Sequence, residues 1–371
     1  MKHTIPDDCQ DCSLRSVDRC KKTNRSIKRM ASTGTPCPLD GQVDGVRQPG
    51  QFRTKPFMDS ANYERDVRLY TESTNLAIVS CFFNPQQFQN PVDNYHRYYE
   101  GLGDLQKHLW TIELAFDEDP FQLPAGPQML RVRGQRSRHN LWQKERLLNL
   151  AAAQVPLGYG SIAYSDSDFI YENPLWYEQA REALLSSEAV QLFSDIVWLG
   201  SEPGTIAREQ RKSWAGAISQ RGKPGEGLLS PGGAWAFKRA FWPIPDSHIM
   251  GGGDTLLLWS MLGRIDHGSL GNMSDSWARS WAAGSVEIFK KIRSRVSAVD
   301  GRVSHLFHGD LADRQYHDRW KILRESEFDP AIDIETDPET GIWQWSDVAI
   351  ETKPEMVSRV ADYFKKRNED G

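Results

Sequence analysis

Continuous apolar runs of strand length constrain the fold of this 371-residue chain most strongly. The clearest run, LAIVSCFF at 76–83, ends at Asn84-Pro85 and does not alternate with polar residues. Such a run is typical of a strand buried on both faces of a mostly parallel sheet. The other candidate elements alternate along the chain, with strands at 109–116 and 161–164 and helices at 94–108, 141–153 and 175–190. This alternation predicts an α/β fold.

Composition and charge exclude several classes of protein. Hydrophobic residues make up 39% of the chain and aromatic residues 11%, which is unlike a disordered chain. The net charge of −5 argues against nucleic-acid binding over the whole surface. The longest apolar stretches fall well short of the roughly 20 residues that cross a bilayer, and residues 1–8 lack the apolar run of a secretory signal. We therefore expect a folded, cytoplasmic protein without membrane insertion.

Four of the five cysteines lie in residues 1–60, where hydrophobic periodicity is almost absent. Cys9 and Cys12 form a Cys-x-x-Cys pair, and Cys20 and Cys37 follow. A zinc ion bound by four thiolates would stabilise a segment that lacks a core, so we expect a zinc site here. An iron–sulfur cluster and incidental thiols are the alternatives. Basic residues between the cysteines leave open a polyanionic partner, such as modified DNA.

Two carboxylates separated by one residue, Asp166 and Asp168, follow the candidate strand at 161–164. Carboxylate oxygens are hard ligands that suit Mg²⁺ or Mn²⁺, and proteins commonly share such ions with substrate phosphates. The triplet alone also fits a simple polar turn. Its context in the chain favours a metal site.

Further motifs surround the Asp-Ser-Asp triplet in a definite order. They are Phe83-Asn84-Pro85, Glu113 in the second strand, Trp142-Gln-Lys-Glu-Arg-Leu-Leu-Asn149, Asn173-Pro-Leu-Trp176, Gly232-Gly-Ala-Trp235 and Gly251-Gly-Gly-Asp254. This order resembles glycosyltransferases of the GT-A fold, in the nucleotide-diphospho-sugar transferase superfamily. The resemblance implies a Rossmann-like, mostly parallel sheet flanked by helices over residues 70–325. Residues 1–60 then form a small Cys-rich segment, and residues 326–371 an extension that packs on the domain.

The resemblance also implies roles for individual residues. Asp166, Asp168 and His308 would hold a divalent cation, Mn²⁺ or Mg²⁺, and Asp254 would act as the general base on the acceptor hydroxyl. The residues that it places around the donor are Ser80, Phe82, Asn84, Glu113, Lys144, Arg146, Asn149, Gly232, Gly233 and Trp235. Simpler roles are the alternatives: a helix N-cap for Asp254, a structural histidine for His308, and surface charges for Lys144 and Arg146.

The leading hypothesis is a metal-dependent glycosyltransferase. It would move a sugar from a nucleotide-diphosphate sugar to a hydroxyl acceptor, either a glycan or a modified nucleic-acid base. A sugar-phosphate nucleotidyltransferase is one alternative, but the loop at 84–88 lacks the glycine and lysine that usually follow the first strand of such enzymes. The other alternative is a zinc-stapled nucleic-acid-binding protein without catalysis.

Overall fold

The computed structural model describes residues 74–371 except 203, 222–228, 265–270, 311 and 316–317, together with three short strands nearer the N-terminus. These strands, Arg15–Ser16, Arg19–Cys20 and Arg25–Ser26, pair antiparallel with one another. The side chains proposed to bind zinc lie outside the described part of the chain, namely those of Cys9, Cys12, Cys20 and Cys37. The zinc site therefore stays a prediction.

From residue 74 onward the chain contains both strands and helices, as the sequence predicted, although some strands follow one another without a helix between them. The strands are β1 (Leu76–Phe83), β2 (Leu109–Phe116), β3 (Met129–Gly134), β4 (Ser161–Ser165), β5 (Phe169–Tyr171), β6 (Ala189–Gln191), β7 (Asp195–Leu199), β8 (Ile206–Lys212), β9 (Ala234–Lys238), β10 (Val296–Ala298), β11 (Arg302–His305), β12 (Ile334–Thr336) and β13 (Trp343–Trp345). The helices are α1 (Gln89–Gly101), α2 (Arg136–His139), α3 (Lys144–Gln154), α4 (Trp176–Ala183), α5 (Trp214–Arg221), α6 (Gly253–Met261), α7 (Asp275–Ile292), α8 (Arg319–Glu325), α9 (Asp347–Thr352) and α10 (Pro354–Lys366). Of the helices described, none has both the length and the apolar character needed to span a membrane.

The central sheet has the strand order β10-β6-β9-β4-β1-β2-β3. Strand β9 runs antiparallel to its neighbours β4 and β6, whereas the other neighbouring strands pair parallel. A second sheet has the order β8-β7-β11-β5, and β12 pairs with β13. The predicted α/β fold, with a mostly parallel sheet flanked by helices, is confirmed.

Strand β1 shows why its sequence is continuously apolar. Ala77 and Val79 pack into one hydrophobic cluster, while Leu76 and Ile78 pack into another. Successive side chains of a strand point to opposite faces of the sheet. Both faces of β1 are therefore covered, and a polar residue on either face would lose its contact with water.

Residues 326–371 pack against the earlier part of the chain through a third hydrophobic cluster. Trp343, Trp345 and Phe364 from this segment join Ile249 and Trp277 in the cluster. The segment is thereby placed beside the carboxyl end of β1, since Phe83 packs against the same cluster.

Candidate active site

A cavity of about 570 Å³ opens beyond the carboxyl ends of β1 and β4. Ligands of open α/β sheets bind in this position, because successive loops leave a crevice there. The sheet contributes residues 81–85 and 165–169 to the cavity wall. The lining also includes side chains that come later in the chain, among them Arg319, Phe364 and Arg367.

Lys144, the first residue of α3, joins two carboxylates in this cavity. Its Nζ lies 2.6 Å from Oδ1 of Asp166 and 3.0 Å from Oδ2 of Asp254. The hydroxyl of Tyr164 donates a hydrogen bond of 2.6 Å to Oδ1 of Asp254. Both oxygens of Asp254 therefore have a donor, and the two contacts hold the carboxylate in one orientation.

The electrostatics of this cluster reflect its burial. Burial raises the pKa of Asp166 to about 7, although the Lys144 ammonium acts in the opposite direction. Burial by itself would lower the pKa of Lys144, but Asp166 and Asp254 raise it well above its ordinary value. Lys144 therefore stays protonated at neutral pH, and its positive charge offsets negative charge on the neighbouring carboxyl groups.

Two glycines allow the backbone to approach these groups closely. A Cβ on Gly232 would lie 2.4 Å from Oδ2 of Asp254. Gly233 has φ of +98°, and a Cβ on it would lie 2.3 Å from the Phe169 ring. The carbonyl of Gly233 accepts a hydrogen bond of 2.8 Å from the amide of Asp166. Any side chain at either position would displace the groups that line the cavity.

A second cluster in the cavity has the composition of a metal site. Asp168, His305 and His308 each offer one ligand atom, and these atoms lie within 4.8 Å of one another. Oδ2 of Asp168 is 2.9 Å from Nε2 of His308 and 3.7 Å from Nε2 of His305. Within the described residues, Oδ1 of Asp168 is buried without a hydrogen-bond partner. One carboxylate and two imidazoles form a donor set that divalent transition metals prefer, so these residues fit such an ion.

The charge states of this cluster also suit a cation. Burial would raise the pKa of Asp168, but His305 and His308 hold it well below its usual range. Burial lowers the pKa of His305 to about 3, so its imidazole is neutral, as a metal ligand must be. Oε1 of Glu369 lies 3.3 Å from Nδ1 of His308 and orients that ring.

Nine of the residues singled out from the sequence line this cavity. They are Phe82, Asn84, Lys144, Asp166, Asp168, Gly232, Gly233, Asp254 and His308. Ser80 and Trp235 lie behind the wall. The hydroxyl of Ser80 donates to the Ser165 carbonyl at 2.7 Å, and Nε1 of Trp235 donates to the Pro231 carbonyl at 2.9 Å. Each side chain therefore fixes the backbone of a residue that lines the cavity, Ser165 in one case and Pro231 in the other.

Arg146 and Asn149 do not line the cavity. Arg146 donates 2.6 Å and 3.2 Å hydrogen bonds to the Gly341 carbonyl and Asp246. The amide of Asn149 donates to the same Asp246 carboxylate at 2.9 Å. Arg146 thus ties α3 to both segments, at 246 and at 341, and Asn149 ties it to the segment at 246.

Glu113 also lies outside the cavity lining, in the buried strand β2. Its Oε1 accepts hydrogen bonds from the backbone amides of Gln122 and Leu123. Its carboxylate also faces Arg131 at 3.7 Å. Glu113 therefore fixes the loop that connects β2 to β3.

Sequence reasoning missed several residues of the site. His305 carried a signal, because it stands three residues before His308. The arginines at 314, 319 and 367 carried none, because only the folded chain brings them to the cavity.

No protein-family model and no curated protein matches this sequence. Among solved structures, the chain is similar to glucosyl-3-phosphoglycerate synthase from Mycobacterium tuberculosis, solved with Mn²⁺, UDP-glucose and phosphoglyceric acid. The two share 14% identity at a TM-score of 0.37, over 76% of this chain and 90% of that one.

Two other solved structures show a comparable degree of similarity. A putative nucleotide-diphospho-sugar transferase from Desulfovibrio desulfuricans is 12% identical at a TM-score of 0.29, over 69% of this chain and 99% of that one. The 4-diphosphocytidyl-2C-methyl-D-erythritol synthase from Anaerococcus prevotii is 8% identical at a TM-score of 0.29, over 62% and 90%. The chain is thus similar to nucleotide-diphospho-sugar transferases in its fold alone.

Proposed function

We propose that this protein is a metal-dependent glycosyltransferase that moves a sugar from a nucleotide-diphosphate sugar to a hydroxyl acceptor. One observation supports the proposal most strongly. The Asp168, His305 and His308 side chains, which suit a divalent metal ion, line the same cavity as the hydrogen-bonded carboxylate of Asp254. Each part serves one need of sugar transfer. Negative charge builds on the departing diphosphate while the acceptor hydroxyl loses its proton.

Asp168, His305 and His308 are the residues that would hold the predicted Mn²⁺ or Mg²⁺, and their two imidazoles favour Mn²⁺. His305 takes the place predicted for Asp166, whose carboxylate is paired with Lys144 at 2.6 Å. When bound, such a cation offsets the charge that develops on the departing diphosphate. Arg314 also lines the cavity and is one of the groups that lower the pKa of Asp168. It therefore adds positive charge on the side of the cavity where a diphosphate would lie.

Asp254 is the proposed general base. The acceptor oxygen bonds to the anomeric carbon, the bond from that carbon to the diphosphate breaks, and the acceptor proton passes to Asp254. Tyr164 and Lys144 hold the Asp254 carboxylate by the two hydrogen bonds described above. A carboxylate can accept further bonds while both oxygens are occupied, because each oxygen has two lone pairs.

The four N-terminal cysteines are proposed as a separate zinc site. Their spacing carries this part of the proposal, and it is independent of the cavity.

Thermal shift and donor hydrolysis test the transferase proposal directly. The panel is a set of nucleotide sugars, each with Mn²⁺ or with EDTA, because a ligand that binds only the folded state raises its stability. The variants are Asp168→Asn, Asp254→Asn and, as a matched control, Asp362→Asn on the exposed face of α10. Release of nucleoside diphosphate is measured with water as the default acceptor.

We expect one donor to stabilise the wild type only with Mn²⁺. Asp362→Asn keeps this shift and Asp168→Asn loses it. Asp254→Asn binds the donor but turns it over roughly 10²–10⁴ times more slowly. A shift that is independent of metal, or that survives in Asp168→Asn, would rule out the proposed donor site.

A further inference from the structure

We infer that Arg319 and Arg367 form a subsite for an anionic group, a phosphate or a carboxylate, on the acceptor. This inference rests on the proposed transferase function and specifies its acceptor. Both arginines line the cavity, and each residue is only 7% exposed. The two side chains come from different elements, since Arg319 begins α8 and Arg367 follows α10.

A single tyrosine brings the two guanidinium groups together. Nη1 of Arg319 and Nη1 of Arg367 each donate a hydrogen bond of 3.2 Å to the hydroxyl of Tyr363. The hydroxyl of Tyr363 in turn faces the carbonyl of Arg314 at 3.3 Å. Two cations that share one acceptor point at a common region, and a planar guanidinium can bind two oxygens of one anion.

The charges of both arginines act on the Tyr363 hydroxyl. Burial would raise the pKa of Tyr363, yet Arg367 and Arg319 together lower it. Glu369 is the ion-pair partner of Arg367, because its Oε1 accepts hydrogen bonds from both Nε, at 2.9 Å, and Nη2 of that guanidinium.

The position of Arg319 favours the acceptor over the donor diphosphate. Gly251 has φ of +69°, and a Cβ on it would lie 3.0 Å from Nη1 of Arg319. The same glycine-rich turn leads into α6 and Asp254, the proposed base. Nη1 of Arg319 therefore lies beside the segment that carries the base, whereas Arg367 is joined through Glu369 to His308 of the metal cluster.

Aromatic side chains complete this end of the cavity. The guanidinium of Arg367 lies 5.0 Å from the ring centroid of Trp142, which stacks on Phe364. All three side chains line the cavity. The body of an acceptor would pack on the aromatic surface while its charged group binds the arginines.

The test uses the full chain and simple probes. Binding of inorganic phosphate and of malonate is measured by calorimetry in EDTA at constant ionic strength, which compares the two anion chemistries. Binding of nucleoside diphosphates with Mn²⁺ is measured in parallel. The variants are Arg319→Gln, Arg319→Lys and the matched control Arg324→Gln, which lies on the same helix and outside the cavity lining.

We expect phosphate or malonate to bind the wild type and Arg324→Gln, and to bind Arg319→Gln about tenfold or more weakly. Arg319→Lys keeps part of the affinity, which shows that charge at a folded site is responsible. Nucleoside diphosphate with Mn²⁺ binds Arg319→Gln as it binds the wild type. Equal anion binding by all variants, or no anion binding by the wild type, would overturn the inference.

Two further outcomes separate the inference from the proposed function. If Arg319→Gln loses nucleoside diphosphate with Mn²⁺ as well, the arginine belongs to the donor site and the acceptor assignment is wrong. The wild type could instead bind phosphate through Arg319 but no nucleoside diphosphate. In that case the transferase proposal is wrong and an anion site remains. The assignment of that site to an acceptor is then wrong as well, because it depends on the transferase proposal.

Discussion

Arg146 offers the sharpest test of whether a residue of α3 serves the donor or the fold. The resemblance in sequence places it at the donor, whereas its contacts tie α3 to the segments at 246 and 341. Its side chain is 2% exposed and lies 3.2 Å from Asp246. Its guanidinium also lies 4.6 Å from the Trp343 ring centroid. The substitution Arg146→Met keeps most of the aliphatic length but removes the charge and its hydrogen bonds.

The magnitude follows from burial. Removing one partner of a buried ion pair costs about 3–5 kcal/mol, because the other charge stays buried without compensation. We therefore expect Arg146→Met to lower the free energy of unfolding by that amount. Arg138→Met is the matched control, since Arg138 pairs with Asp347 at the surface, where its side chain is 33% exposed and that of Asp347 is 74% exposed. An exposed pair contributes about 1 kcal/mol or less.

The assay combines urea unfolding with donor binding by the folded protein. We expect Arg146→Met to lose stability and to keep its affinity for the nucleotide sugar with Mn²⁺. The reasoning is refuted if Arg146→Met unfolds at the same urea concentration as Arg138→Met but loses donor affinity. In that case Arg146 acts on the nucleotide, as its position in the motif first indicated.

Three other predictions concern different parts of the chain. Burial lowers the pKa of His248 to about 4 from 6.5, so the folded state takes up a proton less readily than the unfolded chain. The wild type should lose up to about 3 kcal/mol as pH falls from 6.5 to 4, and His248→Phe should show a smaller loss in urea unfolding at these two pH values. Gly233→Ala should destabilise by about 1–3 kcal/mol, because of its positive φ and the Phe169 ring. Gly126→Ala, at an open position, should leave the thermal midpoint unchanged. Elemental analysis should find one zinc per chain. Substitution of Cys9, Cys12, Cys20 or Cys37 by serine should remove this zinc, because each thiolate is a proposed ligand. An unchanged zinc content in these variants would disprove the site.

Local sequence predicted the elements whose patterns are local. Strands β1 and β2 have the predicted bounds, since their residues are buried on both faces. The predicted helix at 175–190 instead ends at Ala183, and 189–191 pairs into the central sheet as β6. Its pairing partner, β9, lies more than 40 residues further along the chain, and a short apolar stretch does not distinguish helix from strand without that partner.

The candidate site was predictable to a similar extent. Asp166 and Asp168 stand directly after a strand, and the carboxyl ends of parallel strands meet at one edge of a sheet, so their place in the cavity followed from pattern. Arg146 and Arg319 could not be assigned in this way. The contact of Arg146 with Gly341 spans 195 residues, and long-range packing of this kind leaves no periodic signal in the sequence.

The residues that line the cavity come from separate stretches of the chain. The sheet carries Asp166 and Asp168, whereas Arg319, Phe364 and Arg367 lie on elements that follow it. Substitutions in the later stretch can therefore change that part of the lining while the strands and the carboxylates that follow them stay as they are. Under the proposed function, acceptor preference could diverge between related proteins, or be redesigned in this one, independently of the chemistry of the donor.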